Sequence, residues 1–487
     1  MSYGELSNTQ ETMVLPMLQM KNIRGKPYIT VSAKGMINGL SNIPNDGADF
    51  GPDTTLGATA PGQYGSPYTE TSGIKEAIYT NYNHLPIVLG EGIFSVSAQL
   101  LSADIYVNHL VIRGQSTHKT VIQLTNINTL TVSDFPSNAT GVADGYLMYP
   151  TFDNNINMSG LLFISDLTFD FNNQLTSDGY GIGGISPLAV GNYGTLSAEH
   201  LYRHLIFKNQ IGGSHGAQAA ITDQYVNGDY PTVKLNIEVS SCLFYTFTGD
   251  VLDVGNAQNI NIFNNLAINT SSSGCFNLTG NASFVPTESS VKIHNNFIAS
   301  TGTSGQYTQA TSYGGNQPTL GFVEIYNNTA LNISSFCNFA APAASTVQSL
   351  LIHDNIFNSS LSGSFFFKEQ STITITSLVI SPTNNIGYNP TPILSANPPV
   401  SGTVYQNTNP YDIEIDLPVY ATTSGTAGYV TIAKGSTSTP TAVGNQFVNG
   451  STSSTSVDII RLRVPAGWYY EFTASGVTFG TASVFAD

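Results

Sequence analysis

Charged residues are scarce in this chain of 487 residues, of which Asp, Glu, Lys and Arg make up only 9%. The 15 basic residues are outnumbered by 31 acidic ones, which gives a net charge of −16 at pH 7. Nucleic acids and anionic lipids bind proteins through clustered Lys and Arg side chains. We therefore expect neither a nucleic acid nor an anionic membrane surface as a partner.

Long apolar runs and cysteines are also in short supply. No stretch of about 18 apolar residues occurs, so we expect no membrane insertion. The first residues lack the positive charge and apolar run of a secretory signal peptide, and we expect none. The three cysteines, Cys242, Cys275 and Cys337, lack the close spacing of metal ligands. No motif indicates a metal or another cofactor.

The middle of the chain repeats one phrase of six residues, in which apolar and polar residues alternate before a polar pair that ends mostly in Asn. The copies are Ile260–Asn265, Val291–Asn296, Val323–Asn328 and Leu350–Asn355, at spacings of 31, 32 and 27 residues. Periods of roughly 20 to 50 residues are typical of solenoids, and the alternation has the period of a β-strand. The sequence therefore predicts an all-β protein built around a parallel β-helix.

Weaker copies of the phrase extend upstream at Ile237–Cys242, Leu161–Asp166 and Leu201–His204. In this alignment Cys242, His204 and Asp166 occupy the position that Asn265 holds in the stronger copies. We expect Asn at this position to bond the backbone of its own coil and of the next coil. Asn also tolerates left-handed backbone geometry at a bend.

Four further segments precede the repeats in a fixed order. They are an acidic Phe-Gly phrase at Asp49–Gly51, a predicted short helix at Gly73–Tyr79, a Gly-containing turn at Gly90–Phe94 and a strand ending in Ile112–Gly114. These segments resemble the first coils of the pectate-lyase-like superfamily, which includes phage tailspikes and polysaccharide-degrading enzymes. The resemblance covers residues 46 to about 400 and implies a right-handed parallel β-helix that is often trimeric.

The chain divides into three predicted parts. Residues 1–45 form an N-terminal arm or supply an extra edge strand, residues 46–400 form the β-helix, and residues 405–487 form an antiparallel β-sandwich. The sandwich strands are predicted at Ile413–Leu417, Gly428–Ile432, Asp458–Val464 and Tyr469–Phe472. The segment Val464–Tyr470 resembles a strand entry in the C-terminal domains of viral tail fibres. A generic carbohydrate-binding or trimerising sandwich is the alternative.

Aromatic residues are the first candidates for contact with carbohydrate, because a polysaccharide can lie along the long face of a β-helix. Phe244–Phe247 and Phe365–Phe367 are candidates for such a face, and packing in the core is the alternative for Phe. His294 and His353 fall at equivalent positions two coils apart, with Tyr326 between them. This spacing favours stacking over metal binding.

Carboxylates are the second kind of candidate, because glycoside hydrolysis usually requires two of them. Asp250 and Asp253 form the tightest acidic pair of the repeat region, although positions i and i+3 of a strand face opposite ways. Further candidate acids are expected on neighbouring coils: Asp223, Glu238, Glu324 and Glu369. Two acids on adjacent coils, about 5 Å apart, would suit a retaining hydrolase. Solvated or Asn-bonded acids are the alternative.

These observations together favour a spike-like or fibre-like protein on the surface of a virus particle. By resemblance it would be a homotrimer that recognises glycans of a host surface. The first alternative is a polysaccharide-degrading enzyme of the same fold, a glycoside hydrolase or lyase. The second is a structural subunit of a surface appendage. The negative charge and the scarcity of Arg argue against a polyanionic substrate such as a polyuronate.

Overall fold

The computed structural model of the protein consists mainly of β-strands. It describes residues 27–36, 44–81, 85–98, 100, 109–125, 160–172, 197–210, 220–224, 234–247, 251–255, 257–270, 275–280, 289–300, 306–312, 319–339, 345–358, 365–369, 373–381, 384–388, 394–396, 399–407, 412–422, 428–448 and 458–486. The chain forms two compact units. One comprises Met1–Val347 with Ile356–Thr374, and the other comprises Gln348–Asn355 with Ile375–Asp487.

The first unit is a solenoid whose successive coils pair in parallel in three columns. The first column contains Ile29–Val31, Ile87–Leu89, His109–Arg113, the first halves of Gly160–Asp170 and Ser197–Gln210, Lys234–Ser240, Asn259–Phe263, Ser290–His294 and Thr319–Tyr326. The second contains Gly92–Val96, Thr120–Leu124, the second halves of the same two long strands, Leu243–Phe247, Leu266–Thr270, Phe297–Ser300, Thr329–Leu331 and Ile356–Asn358. The third contains Ile221–Gln224, Leu252–Gly255, Phe276–Gly280, Gln306–Ser312, Ser335–Phe339 and Phe365–Glu369. This pairing confirms the predicted parallel β-helix.

The core of the solenoid is filled by the apolar residues that alternate along each strand. Ile260, Ile262, Val291 and Ile293 are at most 2% exposed, as are Val323 and Ile325 on the next coil. Because equivalent residues pair in register, their side chains stack on one another from coil to coil. Burial of these rows is the main source of stability of the solenoid.

Aromatic rings also stack inside the solenoid. Phe207 lies between Phe169 and Phe244, with ring centroids 5.1 and 5.3 Å apart. Phe336 lies between Tyr307 and Phe366, at 4.6 and 4.8 Å. Phe244 and Phe366, which were candidates for a carbohydrate-binding face, therefore belong to the core, as the alternative had it.

Buried Asn side chains form a ladder between the coils of the first column. Asn265 Nδ2 donates to Val239 O at 2.9 Å and to Asn296 Oδ1 at 3.0 Å. Asn296 Nδ2 repeats the pattern, with Ile262 O at 2.9 Å and Asn328 Oδ1 at 3.1 Å. The amides do join neighbouring coils, but the backbone acceptors belong to the preceding coil and not, as was predicted, to the next one. Each amide satisfies buried polar groups that would otherwise be costly.

The residue before each ladder position adopts left-handed geometry. Asn264, Asn295 and Asn327 have φ between 53° and 57°. Asp166 and His204 also have positive φ, at 59° and 50°. The predicted alignment of Asp166 and His204 is therefore wrong by one residue, because these two residues hold the left-handed position and not the ladder position, whereas Cys242 holds the ladder position as predicted. The register instead places Leu167 and Leu205 at the ladder position, where apolar side chains replace the amide.

The acidic Phe-Gly phrase of the first coil has a packing role. Phe50 is fully buried, and Asp49 Oδ2 accepts hydrogen bonds from Thr30 N at 3.0 Å and Thr30 Oγ1 at 2.9 Å. Gly73 has φ of +82°, and a Cβ at this position would lie 2.7 Å from Gly51 N. Gly73 is thus required by the close approach of two backbone segments.

The helix Ile74–Tyr79 lies where a short helix was predicted. It buries Ile74 and Ile78, which are at most 4% exposed. The buried Glu76 is held by Thr69 Oγ1, which donates to its Oε2 at 2.7 Å. In the described part of the chain, no helix has the length and apolarity to cross a membrane.

The second unit contains an antiparallel β-sandwich, as predicted. One sheet contains Leu394–Ala396, Ala482–Ala486, Ile413–Ala421, Asp458–Val464 and Val477–Phe479. The other contains Val404–Gln406, Tyr469–Ser475, Gly428–Gly435 and Thr441–Val448. The core between them includes Leu417, Val430, Ile460 and Phe472.

The remaining strands are short or lie next to the division between the units. They are Ser345–His353, Ile373–Ile375 and Leu378–Ile380, and Leu350 pairs with Leu378 in parallel. Ile29–Val31 pairs with Ile87–Leu89, so this part of the predicted N-terminal arm supplies an extra strand. Residues 1–26 and 37–43 of the arm lie outside the described residues. The domain boundaries at 45, 400 and 405 stay predictions.

Candidate functional site

One row of register-equivalent positions follows the first column along the solenoid axis, and we call it the outer row. Its members pair strand by strand: Arg113, Ser165, Arg203, Ser240, Phe263, His294 and Tyr326. Because strands of a sheet are about 4.8 Å apart, the row extends about 29 Å. Its length is suited to an extended ligand rather than to a compact one.

A second row lies two residues earlier on the same strands, and we call it the flanking row. It consists of Glu238, Asn261, Lys292 and Glu324, which pair in that order. Lys292 Nζ lies 3.8 Å from Glu324 Oε2, and the Lys292 side chain is 48% exposed. Carboxylate, amide and ammonium groups thus follow one another at intervals of one strand.

Three rings of the outer row stack on one another. His294 lies 5.2 Å from Phe263 and 4.7 Å from Tyr326 between ring centroids, with interplanar angles of 3° and 6°. The predicted stacking of His294 is therefore confirmed. Since the ring faces cover one another, the half-exposed rings turn mainly their edges to solvent.

The imidazole of His294 is held between two Asn side chains. Its Nε2 lies 3.1 Å from Asn261 Oδ1, and its Nδ1 lies 3.2 Å from Asn295 Nδ2. The contact to Asn295 makes Nδ1 an acceptor, so the hydrogen sits on Nε2 and is donated to Asn261. Burial lowers the pKa of His294, the charge of Lys292 lowers it further, and Glu324 opposes both. The neutral ring thus has a partner for each nitrogen.

Ion pairs occupy the other end of the outer row. Arg203 contacts Glu238 through two hydrogen bonds, at 2.6 Å from Nε and 2.8 Å from Nη2. Ser240 Oγ donates to the same carboxylate at 2.8 Å. Arg113 Nε donates to Asp166 Oδ2 at 3.0 Å. A bidentate Arg–carboxylate pair fixes both side chains, so this end of the row is preorganised.

Glu238 and Glu324 are the predicted catalytic candidates whose side chains the structure describes. They are three strands apart in the flanking row, which corresponds to about 14 Å. Paired carboxylates in glycosidases are roughly 5 to 9.5 Å apart. These two residues therefore do not form a catalytic pair with one another.

Two of the aspartate candidates, Asp223 and Asp253, lie on the third column. The register pairs Asp253 with Thr222, and Asp223 with Val254. Asp223 and Asp253 are thus one residue out of register and do not oppose each other directly. Asp250 lies outside the described residues, as do the side chains of the other two and of Glu369. Their catalytic roles stay predictions.

Metal and thiol chemistry find no support among the described side chains. No group of three or more His, Cys, Asp or Glu residues among them is placed to hold a metal ion. Cys242, Cys275 and Cys337 are buried and reduced. Burial raises the pKa of the Cys242 thiol to about 12, which suits a packing role.

The second column presents a different outward surface. Tyr245 is 43% exposed, Phe297 36% and Ile356 40%. Their neighbours Leu243 and Leu266 are half-buried. This face offers few hydrogen-bonding groups, so the outer and flanking rows are the better candidate for a hydroxyl-rich ligand.

Sequence reasoning did not identify the two rows, although it identified the repeat that contains them. Residues two and four of each phrase alternate with the buried ones, and they supply Asn261, Lys292 and Glu324 in one row and Phe263 and His294 in the other. That alternation could have selected them. Arg203 could be assigned to the outer row only with the correct alignment of the upstream copies.

Comparison with known proteins does not assign the chain to a family. No protein-family model and no curated protein sequence matches the chain. Among solved structures it is similar to Pantoea stewartii WceF, a glycan biofilm modifying enzyme with a bacteriophage tailspike-like parallel β-helix fold, at a TM-score of 0.34 and 12% identity. The match covers 85% of this chain and 61% of WceF, so the chain spans about three fifths of that protein.

Two further structures are similar to this chain, the second of them more weakly. The enzymatically active domain of bacteriophage CBA120 tailspike protein 4 gives a TM-score of 0.32 and 10% identity, over 100% of this chain and 80% of that chain. The A-module of Azotobacter vinelandii mannuronan C-5 epimerase AlgE6 gives 0.21 and 12%, over 63% and 94%. The chain is a parallel β-helix protein, and its strand pairing alone establishes this class.

Proposed function

We propose that the protein binds glycans of a host surface along the outer and flanking rows, as a spike-like or fibre-like protein exposed on a virus particle. The observation that carries the proposal is the recurrence of hydrogen-bonding side chains at every strand of one axial face. A linear polysaccharide also repeats its hydroxyl groups along its length. A site that repeats in the same direction can contact several sugar units in succession.

The chemistry of the two rows suits sugar hydroxyls, which both donate and accept hydrogen bonds. Glu324 supplies acceptors, Lys292 supplies donors, and Asn261 supplies both. The edge of Tyr326 adds a polar group beside an apolar ring surface. The excess of acidic residues favours a neutral glycan over a polyanion.

Binding accounts for the described acids better than cleavage does. Glu238 is engaged by Arg203 and Ser240, and Glu324 lies too far from Glu238 for a shared catalytic step. An extracellular location belongs to this proposal. Polysaccharide degradation and a purely structural role are the alternatives that the experiment separates.

The test is binding of the purified chain to a panel of host-surface polysaccharides, measured by glycan array and calorimetry. The double variant Asn261→Ala/Lys292→Ala should bind at least about tenfold more weakly, which corresponds to about 1.4 kcal/mol. The matched control is Tyr245→Ala, an exposed residue on the second column, which should bind like the wild type.

Each alternative has its own outcome in this experiment. Release of reducing ends from the bound polysaccharide would support the degrading enzyme. A lack of affinity for every polysaccharide of the panel would support a structural subunit. Equal weakening by Tyr245→Ala would place the binding surface elsewhere and refute the assignment to the two rows.

A further inference from the structure

One sheet edge of the C-terminal sandwich differs from the other edges. The strand Thr441–Val448 ends its four-stranded sheet and, within the described residues, pairs with Gly428–Gly435 on one side only. An edge strand presents backbone N–H and C=O groups that can pair with another chain. Proteins normally prevent this with short strands, charged side chains or proline on the edge.

Three other edges among the described strands of the sandwich carry such protection. Leu394–Ala396 and Val404–Gln406 are only three residues long. Asp458–Val464 is longer but is charged, with Arg461 paired to Asp416 and Arg463 paired to Asp412. None of these edges is a good template for a long added strand.

The fourth edge lacks charge along its whole length. It has eight residues, and no charged residue occurs in the chain between Lys434 and Asp458. Residues 441–446 are exposed at successive positions, so both faces of the strand are open. A Cβ added at Gly444 would meet nothing within 4 Å, so the face of the sheet is open at this residue.

A β-bulge interrupts this strand, but it blocks pairing with another chain over only part of the strand. The register shifts between Ile432 and Ala433, which leaves Val443 as an extra residue. Bulges of this kind twist an edge strand locally. Beyond it, the register is regular from Gly444 to Val448, which is a longer run than either three-residue edge offers.

We propose that the Thr441–Val448 edge pairs antiparallel with the same edge of a second copy of this chain, so that the sheet continues across two molecules. Strand addition gains its affinity from main-chain hydrogen bonds, and a two-fold contact requires a surface that is complementary to itself. An uncharged edge meets this requirement. Two chains of net charge −16 repel each other over most of their surface, and this segment allows approach without contact between like charges.

The proposed contact joins the same edge of two chains, because the short or charged edges are poor partners for this strand. It therefore predicts an assembly of two chains and favours a dimer over the trimer that the resemblance to tailspikes implies. The proposal does not depend on glycan binding, which uses residues of the other unit.

The experiment measures the molar mass of the full chain by light scattering over a dilution series. The wild type should have twice the 51.8 kDa of one chain at high concentration. The variant Val443→Lys/Asn445→Lys should have the mass of one chain, because the introduced lysines would face each other across the two-fold axis. High salt should partly restore the dimer of this variant, since salt screens the repulsion.

The matched control is Ser475→Lys/Thr478→Lys, which adds the same charge at two exposed positions of the sandwich. It should remain dimeric, and circular dichroism should show the same fold for all variants. Asn445→Lys alone provides a milder variant that also shifts the mass toward one chain. A wild type of one or three chains, or a dimer that persists in the Val443/Asn445 variant at low salt, would overturn the proposal.

Discussion

Buried amides connect the coils at the scale of single residues. Each ladder Asn bonds both the backbone of the preceding coil and the side chain of the next Asn, so one substitution affects two neighbouring coils. The residue before it absorbs the left-handed bend. This division of labour explains why the repeated phrase ends in two polar residues, and why the second of them is buried.

Replacement of Asn296 by Ala tests the ladder. The change leaves Ile262 O, Asn265 N and Asn328 Oδ1 without a bond that each has in the wild type. Buried groups left unsatisfied should reduce the free energy of unfolding by about 3 kcal/mol. Urea unfolding followed by circular dichroism measures this, with the exposed Asn259→Ala as a control that should change it by less than about 0.5 kcal/mol.

His294 should make the stability of the solenoid depend on pH. Its pKa is lowered in the folded protein, chiefly by burial, so the unfolded chain takes up the proton first as the pH falls. The contribution of the neutral ring is present above the ordinary histidine pKa of about 6.5 and is lost as the pH falls below it. The thermal midpoint of the wild type should therefore drop more between pH 7 and pH 5 than that of His294→Phe. An equal drop in both proteins would contradict this role.

At the scale of secondary-structure elements, the sequence predicted which segments form strands better than it predicted which residues of neighbouring strands pair. The alternation of apolar residues correctly predicted the strands at residues 260, 291 and 323 and the four sandwich strands. The upstream copies around Asp166 and His204 were misaligned by one residue, because a Leu replaces Asn at their ladder positions. Without the Asn, a short apolar segment contains no residue that indicates its alignment with the other copies. The alignment then follows only from the strand pairing in the structure.

The entry to the helix Ile74–Tyr79 provides a test at this scale. Gly73→Ala should be strongly destabilising, because the new Cβ combines left-handed strain of about 1 to 2 kcal/mol with a contact 2.7 Å from Gly51 N. Gly57→Ala is the matched control, since Gly57 also has positive φ, at 71°, but has open space around it. Thermal unfolding should show a clearly lower midpoint for Gly73→Ala than for Gly57→Ala. Similar midpoints would mean that the close approach to Gly51 is not tight.

At the scale of the whole molecule, the solenoid was predictable and its functional surface was not. The repeat period set the fold, whereas the candidate acids were chosen by residue type. Glu238 proved to be bound to Arg203, a partner 35 positions away in sequence that only the coil geometry brings close. The outer row likewise consists of side chains from many coils, so no short sequence motif predicts it.

The most direct test of glycan recognition along the axial face is the dependence of affinity on ligand length. Calorimetry with oligosaccharides of increasing length, cut from a polysaccharide that the protein binds, measures it. Because the outer row extends about 29 Å, affinity should rise with each added sugar until the ligand spans the row, and it should do so less steeply for Asn261→Ala/Lys292→Ala. A mono- or disaccharide that binds as tightly as the longer ligands would contradict an extended site.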